Sequence, residues 1–144
     1  MTGIQLRGYQ EGAIGKLRSA LARGARRVLL YSPTGSGKTE MAFVMIVGAL
    51  AKGRKVMFVA NRKELVRQAS RRLDAAGIAH GILQAENSRS LDAKVLVCSV
   101  DTVHRRGLPD DVGLIIIDEA HAVAGSVKYR ELLFKYNLVP VVGL

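Results

Sequence analysis

Apolar residues along this chain fall into two alternating patterns: compact uninterrupted runs, and longer stretches where they recur every third or fourth position. The compact runs, bounded by turn residues, are Arg27–Tyr31, Lys55–Ala60, Ile78–Leu83, Lys94–Ser99, Gly113–Asp118 and Leu138–Leu144, and each predicts a strand. Helical spacing marks Tyr9–Arg23, Lys38–Lys52, Arg62–Ala76 and Ser126–Tyr136. The runs are mostly Val, Ile, Leu and Ala with no polar face, as expected of strands covered on both sides. Strands alternating with helices of this length predict βαβ crossovers, so the expected class is α/β: a mostly parallel sheet with helices on both faces. No repeat or Pro-rich linker interrupts the pattern, and one domain over residues 1–144 is the economical reading. The last run ends without a closing helix or polar tail, which leads us to expect a domain incomplete at its C-terminus.

Composition adds little to that picture, and charge adds a partner class. Apolar residues make up 49% of the 144 residues and aromatics only 5%, enough for a real core of aliphatic character. The net charge of +10, from 22 Lys and Arg against 12 Asp and Glu, favours a polyanionic partner. Cys98 is the single cysteine and sits inside an apolar run, so it reads as a packed strand residue in a reducing compartment. The N-terminus lacks a basic start followed by an apolar segment, and the longest apolar stretch, Met41–Ala51, falls short of the roughly 20 residues a bilayer span needs. A soluble, intracellular (cytoplasmic) protein is expected.

The first chemical motif follows the first strand. Arg27–Tyr31 feeds into Ser32-Pro33-Thr34-Gly35-Ser36-Gly37-Lys38-Thr39, and a helical stretch follows at once. That is the setting of a phosphate-binding P-loop (Walker A). Gly35 and Gly37 let successive backbone N–H groups face one anion, and the helix behind them aims its positive end at the same point. Lys38 is placed to reach the β and γ phosphates and the Thr39 hydroxyl to ligate Mg²⁺. Ser32 stands where the strict pattern has glycine.

The second motif ends the fifth strand. Gly113-Leu-Ile-Ile-Ile117 delivers two adjacent acids, Asp118 and Glu119, to the strand's carboxyl end, the edge where open α/β sheets bind ligands. Adjacent carboxylates there are costly without a cation, and Mg²⁺ on nucleotide phosphates supplies one. Asp118 is the expected metal ligand, partly through water, and Glu119 the residue that polarises the attacking water. Alone, the acid pair could equally cap the following helix; its pairing with the P-loop makes the signal specific.

With these motifs in hand, the chain resembles the superfamily 2 DEAD/DEAH-box helicases. Leu6-Arg-Gly-Tyr-Gln10, Ser32–Thr39, Val59-Ala-Asn-Arg-Lys-Glu-Leu65, Ser99-Val-Asp-Thr102 and Asp118-Glu-Ala-His121 appear in that family's motif order. The likeness is greatest to the first RecA-like domain of the branch containing type III restriction subunits and excision-repair helicases. The resemblance implies a RecA-like P-loop NTPase fold, ATP and Mg²⁺ as cofactors, and adenine recognition by Arg7 and Gln10. It implies a nucleic-acid track, DNA ahead of RNA, lined by Asn61, Arg62, Lys63, Asp101 and Thr102, with His104 beside them. It also implies that His121 couples the nucleotide site to the next motif (Walker B being Asp118 and Glu119). A helix opening at Arg62 and Lys63 is itself a phosphate-binding arrangement, and Arg67, Arg71 and Arg72 continue its basic face.

The family's third motif and its second RecA-like domain, which carries the arginine fingers, are not found in these residues. This chain is therefore expected to bind ATP and to hydrolyse it slowly by itself, since such fingers contribute about 10³ to 10⁵ in rate. A non-catalytic nucleotide or nucleic-acid binding module is the competing class; a GTPase is disfavoured, because no Asn-Lys-x-Asp occurs.

Overall fold

The computed structural model describes residues 8–29, 38–84, 88, 90–106, 111–119 and 126–144. Within them the elements are α1 (Gly8–Ala22), β1 (Arg27–Leu29), α2 (Lys38–Ala51), β2 (Lys55–Ala60), α3 (Lys63–Ala75), β3 (Gly81–Leu83), β4 (Val95–Ser99), α4 (Val100–Arg106), β5 (Val112–Ile117), α5 (Val127–Lys135) and β6 (Val141–Gly143). The strands form one sheet in the order β1-β6-β5-β2-β4-β3, and every pairing is parallel. The expected α/β class holds.

Side-chain alternation splits the strands between two cores. Val56, Phe58 and Ala60 of β2, Val95 and Val97 of β4, and Leu114 and Ile116 of β5 meet Ile14 and Leu17 of α1, Met41 and Ile46 of α2, and Val66 and Leu73 of α3. The intervening Met57, Val59, Leu96, Cys98, Ile115 and Ile117 meet Val103 of α4 and Tyr129 and Leu132 of α5 on the opposite face. The chain steps across the sheet through α2 and α3, then returns through α4 and α5. Reversing direction while keeping one crossover handedness requires the helices to change face, as they do.

Three local arrangements depart from, or add to, the sequence pattern. Helix α4 was not expected: it starts at Val100, directly after β4 ends at Ser99, with no turn residue to announce it. Strand β3 is shorter than Ile78–Leu83, because Ile78 and His80 are buried but bonded elsewhere. His80 Nδ1 lies 3.0 Å from the Ile78 carbonyl, which can only accept, so that nitrogen donates, and Nε2 is hydrogen-bonded to the Ser70 hydroxyl at 2.7 Å. This side-chain link ties α3 to the start of β3. At the other edge, Arg26 and Arg27 donate to the carbonyls of Leu133, Tyr136, Leu138 and Val139, fastening the turn after α5 to β1 just ahead of β6. No helix among the described residues is long and apolar enough to cross a membrane.

Gly81 allows β3 to lie against the loop before β4. A Cβ there would overlap the Ser90 carbonyl oxygen and stand 2.8 Å from Leu96 Cδ2. Gly12, inside α1, has nothing within 4 Å of where its Cβ would be. In urea unfolding, Gly81→Ala should therefore cost about 1–3 kcal/mol by overpacking, while Gly12→Ala should add about 1 kcal/mol by helix propensity. A neutral Gly81→Ala would contradict this packing.

Candidate functional site

Because the strands are all parallel, their carboxyl ends share one edge, and strand register decides which residues meet there. Leu29 of β1 and Ile117 of β5 both pair with Gly143 of β6, one from each side. The two strand ends are therefore level, two strand spacings or roughly 10 Å apart, and the residue between them has no side chain. Asp118 follows Ile117 directly, and the segment leading to the N-terminus of α2 follows Leu29. The Leu144 N–H donates to the Ile117 carbonyl at 3.0 Å, locking β6 to the end of β5.

Two backbone features fix the acids at this edge. The Asp118 N–H donates to the Val59 carbonyl of β2 at 3.0 Å, holding Asp118 against a second strand end. Its half-buried carboxylate accepts the Glu119 N–H at 3.0 Å. Glu119 is exposed and left-handed, with φ of +54°. That conformation is unfavourable for a residue with a Cβ, and such outliers concentrate at functional sites. It ends the extended run of β5 in a turn at Asp118 and Glu119.

The donor set suits a hard cation: carboxylate oxygen at the strand end, opposite the start of α2. Among the described residues no group of three or more His, Cys, Asp or Glu is placed to hold a metal ion. Lys38 and Thr39 open α2, where the first-turn N–H groups point out of the helix. Arg7, Ser32, Pro33, Thr34, Gly35, Ser36, Gly37 and His121 lie outside the described residues, as do the side chains of Gln10, Lys38 and Thr39.

The residues expected on the nucleic-acid track meet only in part. Asn61, Val100 and Asp101 line a cavity of about 370 Å³ together with Ser126, Val127, Lys128 and Tyr129. It opens at the ends of β2 and β4, whose following helices leave toward opposite faces, which is the kind of place where doubly wound sheets bind ligands. Arg62 and Lys63 are exposed at the mouth of α3, adjacent in sequence to Asn61. Thr102 is 1% exposed and is not among the lining residues. His104 faces away, with Nδ1 2.8 Å from the Glu131 carboxylate.

Lys128, Ser126 and Tyr129 were missed in the sequence. Only Ser126 left a trace there, as a residue type that caps helices, and its hydroxyl does accept the Tyr129 N–H at 3.4 Å.

Comparison with known proteins bears on this architecture. The family model described as "Type III restriction enzyme, res subunit" matches residues 3–144. The chain is 31% identical to a type I restriction enzyme EcoAI endonuclease subunit of Escherichia coli, over 99% of this chain and 19% of that protein. It is 33% identical to a putative ATP-dependent helicase, IRC3, of Saccharomyces cerevisiae, over 96% of this chain and 23% of that protein. It thus spans about a fifth of the length of these curated relatives. Among solved structures, the helicase domain of Hef from Pyrococcus furiosus superposes with a TM-score of 0.75 at 29% identity, covering 98% of this chain and 32% of that one. The SWI2/SNF2 ATPase core of Sulfolobus solfataricus shares the fold, with a TM-score of 0.77 at 14% identity, over 97% of this chain and 31% of that one.

The strain at Glu119 is measurable without any ligand. Glu119→Gly should raise stability by about 1 kcal/mol in thermal or urea unfolding, since glycine adopts φ near +54° without a Cβ clash. A loss of stability would show that the left-handed turn costs nothing here.

Proposed function

We infer this chain's function from its family: it belongs to the family of the type III restriction enzyme res subunit and is the first RecA-like domain of a superfamily 2 helicase. On that premise the domain binds Mg·ATP at the shared carboxyl edge of β1 and β5. In the full-length protein it couples ATP hydrolysis to movement along a nucleic-acid strand. The net charge of +10 supports a polyanionic track, and the restriction-endonuclease relative favours DNA over RNA. The observation that carries the nucleotide reading is the level alignment of Leu29 and Ile117 on either side of Gly143. It sets level the strand ends from which the two motifs continue in sequence.

The roles divide as follows. The backbone N–H groups of Thr34, Gly35, Ser36 and Gly37 cradle the phosphates, with Pro33 shaping the turn, and Lys38 neutralises the β and γ phosphates. Arg7 and Gln10 contact adenine, the Gln carboxamide offering a donor and an acceptor side by side. Thr39 and Asp118 hold Mg²⁺, Asp118 partly through water; bound there, the ion neutralises phosphate charge and orients the γ-phosphate. Glu119 accepts a hydrogen bond from the attacking water and polarises it. His121 relays the state of the nucleotide to the rest of the motor, and Asn61, Arg62 and Lys63 form the strand-binding side, with Asp101 in its wall and the buried Thr102 behind it.

Isothermal titration calorimetry with Mg·ATP tests the reading. Lys38→Ala should weaken binding by about tenfold or more, at least roughly 1.4 kcal/mol, whereas Glu119→Gln should keep ATP affinity and lose turnover. Equal affinity in the Lys38→Ala protein and the parent would overturn the P-loop assignment.

A further inference from the structure

The cavity at the ends of β2 and β4 contains polar groups that the protein itself does not satisfy. Tyr129 is 1% exposed, and its hydroxyl has no hydrogen-bond partner among the described residues; neither has Asn61 Oδ1, a buried atom of a half-buried residue. Buried polar atoms are rarely left unpaired, and those that are call for a ligand or a functional reason. Both residues line the same cavity, as do Asp101 and Lys128, which form an ion pair across its wall. Both members of that pair are about half exposed, with side-chain exposures of 46% for Lys128 and 56% for Asp101. Such pairs are weak and open to exchange.

We propose that this cavity binds one sugar-phosphate unit of a nucleic-acid strand, with Lys128 and Tyr129 of α5 as contacts and Asp101 as the internal stand-in for the phosphate. The proposal rests on the nucleic-acid reading above and adds residues from an element which that reading left out. A strand phosphate entering the cavity takes Asp101's place on the Lys128 ammonium. The Tyr129 hydroxyl donates to a phosphate oxygen, and the Asn61 carboxamide turns its unpartnered end to the sugar. Burial, then the negative charges of Asp118 and Asp101, push the Tyr129 phenol's pKa up, so its hydroxyl stays protonated and remains a donor. The same carboxylates explain why the resting site needs Lys128: an unpaired Asp101 would repel the strand.

Tyr129, like the lining residue Val100, also belongs to the core on this face of the sheet. It packs with Val59 and Ile117, the strand residues that immediately precede Ala60–Asn61 and Asp118. It is therefore a positioning residue between the edge that carries Asp118 and the cavity that carries Asn61 and Asp101.

Fluorescence anisotropy of the full 144-residue chain with labelled oligo-dT and oligo-U, across a salt series, tests the site. Lys128→Ala should weaken binding several-fold and flatten the logarithmic salt dependence by about 0.7, one phosphate contact on a single strand. Asp101→Asn, which releases Lys128, should tighten binding. Tyr129→Phe should weaken binding with its salt slope unchanged, while its melting temperature stays level or rises because an unsatisfied buried group is gone. That last combination separates a ligand contact from a packing role, which would lower stability instead. Effects on both oligonucleotides assign the contact to the shared phosphate; effects on oligo-U alone assign it to the ribose 2′-hydroxyl. If the parent chain binds oligonucleotide but all three variants match it, the cavity is not the strand site and the broader reading stands. If the parent binds neither oligonucleotide at low salt, both fall together.

Discussion

The pairing of β6 between β1 and β5 is the constraint on which the nucleotide edge depends. A parallel sheet sets its strand ends at one edge, but only register makes two of them level, and here Gly143 sets the register on both sides. The pairing is held from two directions. Leu144 bonds back to Ile117 at one end of β6, and at the other the Arg26 and Arg27 guanidiniums grip the carbonyls of the turn after α5. A slip of one residue would turn the buried Val141 and Val142 to the wrong cores and put Asp118 out of line with the end of β1.

From that alignment the rest of the functional edge follows by chain direction. Because α2 and α3 lie on one face and α4 and α5 on the other, the carboxyl edge opens into two neighbouring crevices, one beside β6 and one between β2 and β4. Asp118 belongs to the first, yet its amide is tied to β2, whose next residues lead into the second. Val59, Ile117 and Tyr129 belong to one core cluster beneath this edge.

How much of this the sequence disclosed follows from what each element is made of. β2 and β5 were plain because strands buried on both faces must be apolar throughout, and runs such as Val56–Ala60 and Leu114–Ile117 have few other uses. The helices α2, α3 and α5 came within a residue or two of their expected ends, since their apolar spacing is set by the core they face. α4 was hidden because it begins without a turn signal, directly where the expected strand Lys94–Ser99 ends. The end of β3 was misjudged because Ile78 and His80 are buried like strand residues while His80 bonds to Ser70, a partner ten positions away in sequence. At the site, Asp118 and Glu119 were legible from charge at the tip of an apolar run, but Glu119's left-handed turn was not, since no glycine marks it. Lys128 and Tyr129 were illegible for a different reason: an ion pair to Asp101 and a hydroxyl without a partner exist only once α5 has packed against β2 and β4.

We propose that the carboxyl ends of β1 and β5 flank a bound triphosphate. A crystal structure of the chain with Mg²⁺ and a non-hydrolysable ATP analogue tests it most directly. The account predicts the triphosphate above Gly143, with its metal reached by Asp118 directly or through one water. Nucleotide bound instead in the cavity lined by Asn61 and Asp101, with the Gly143 edge vacant, would contradict it.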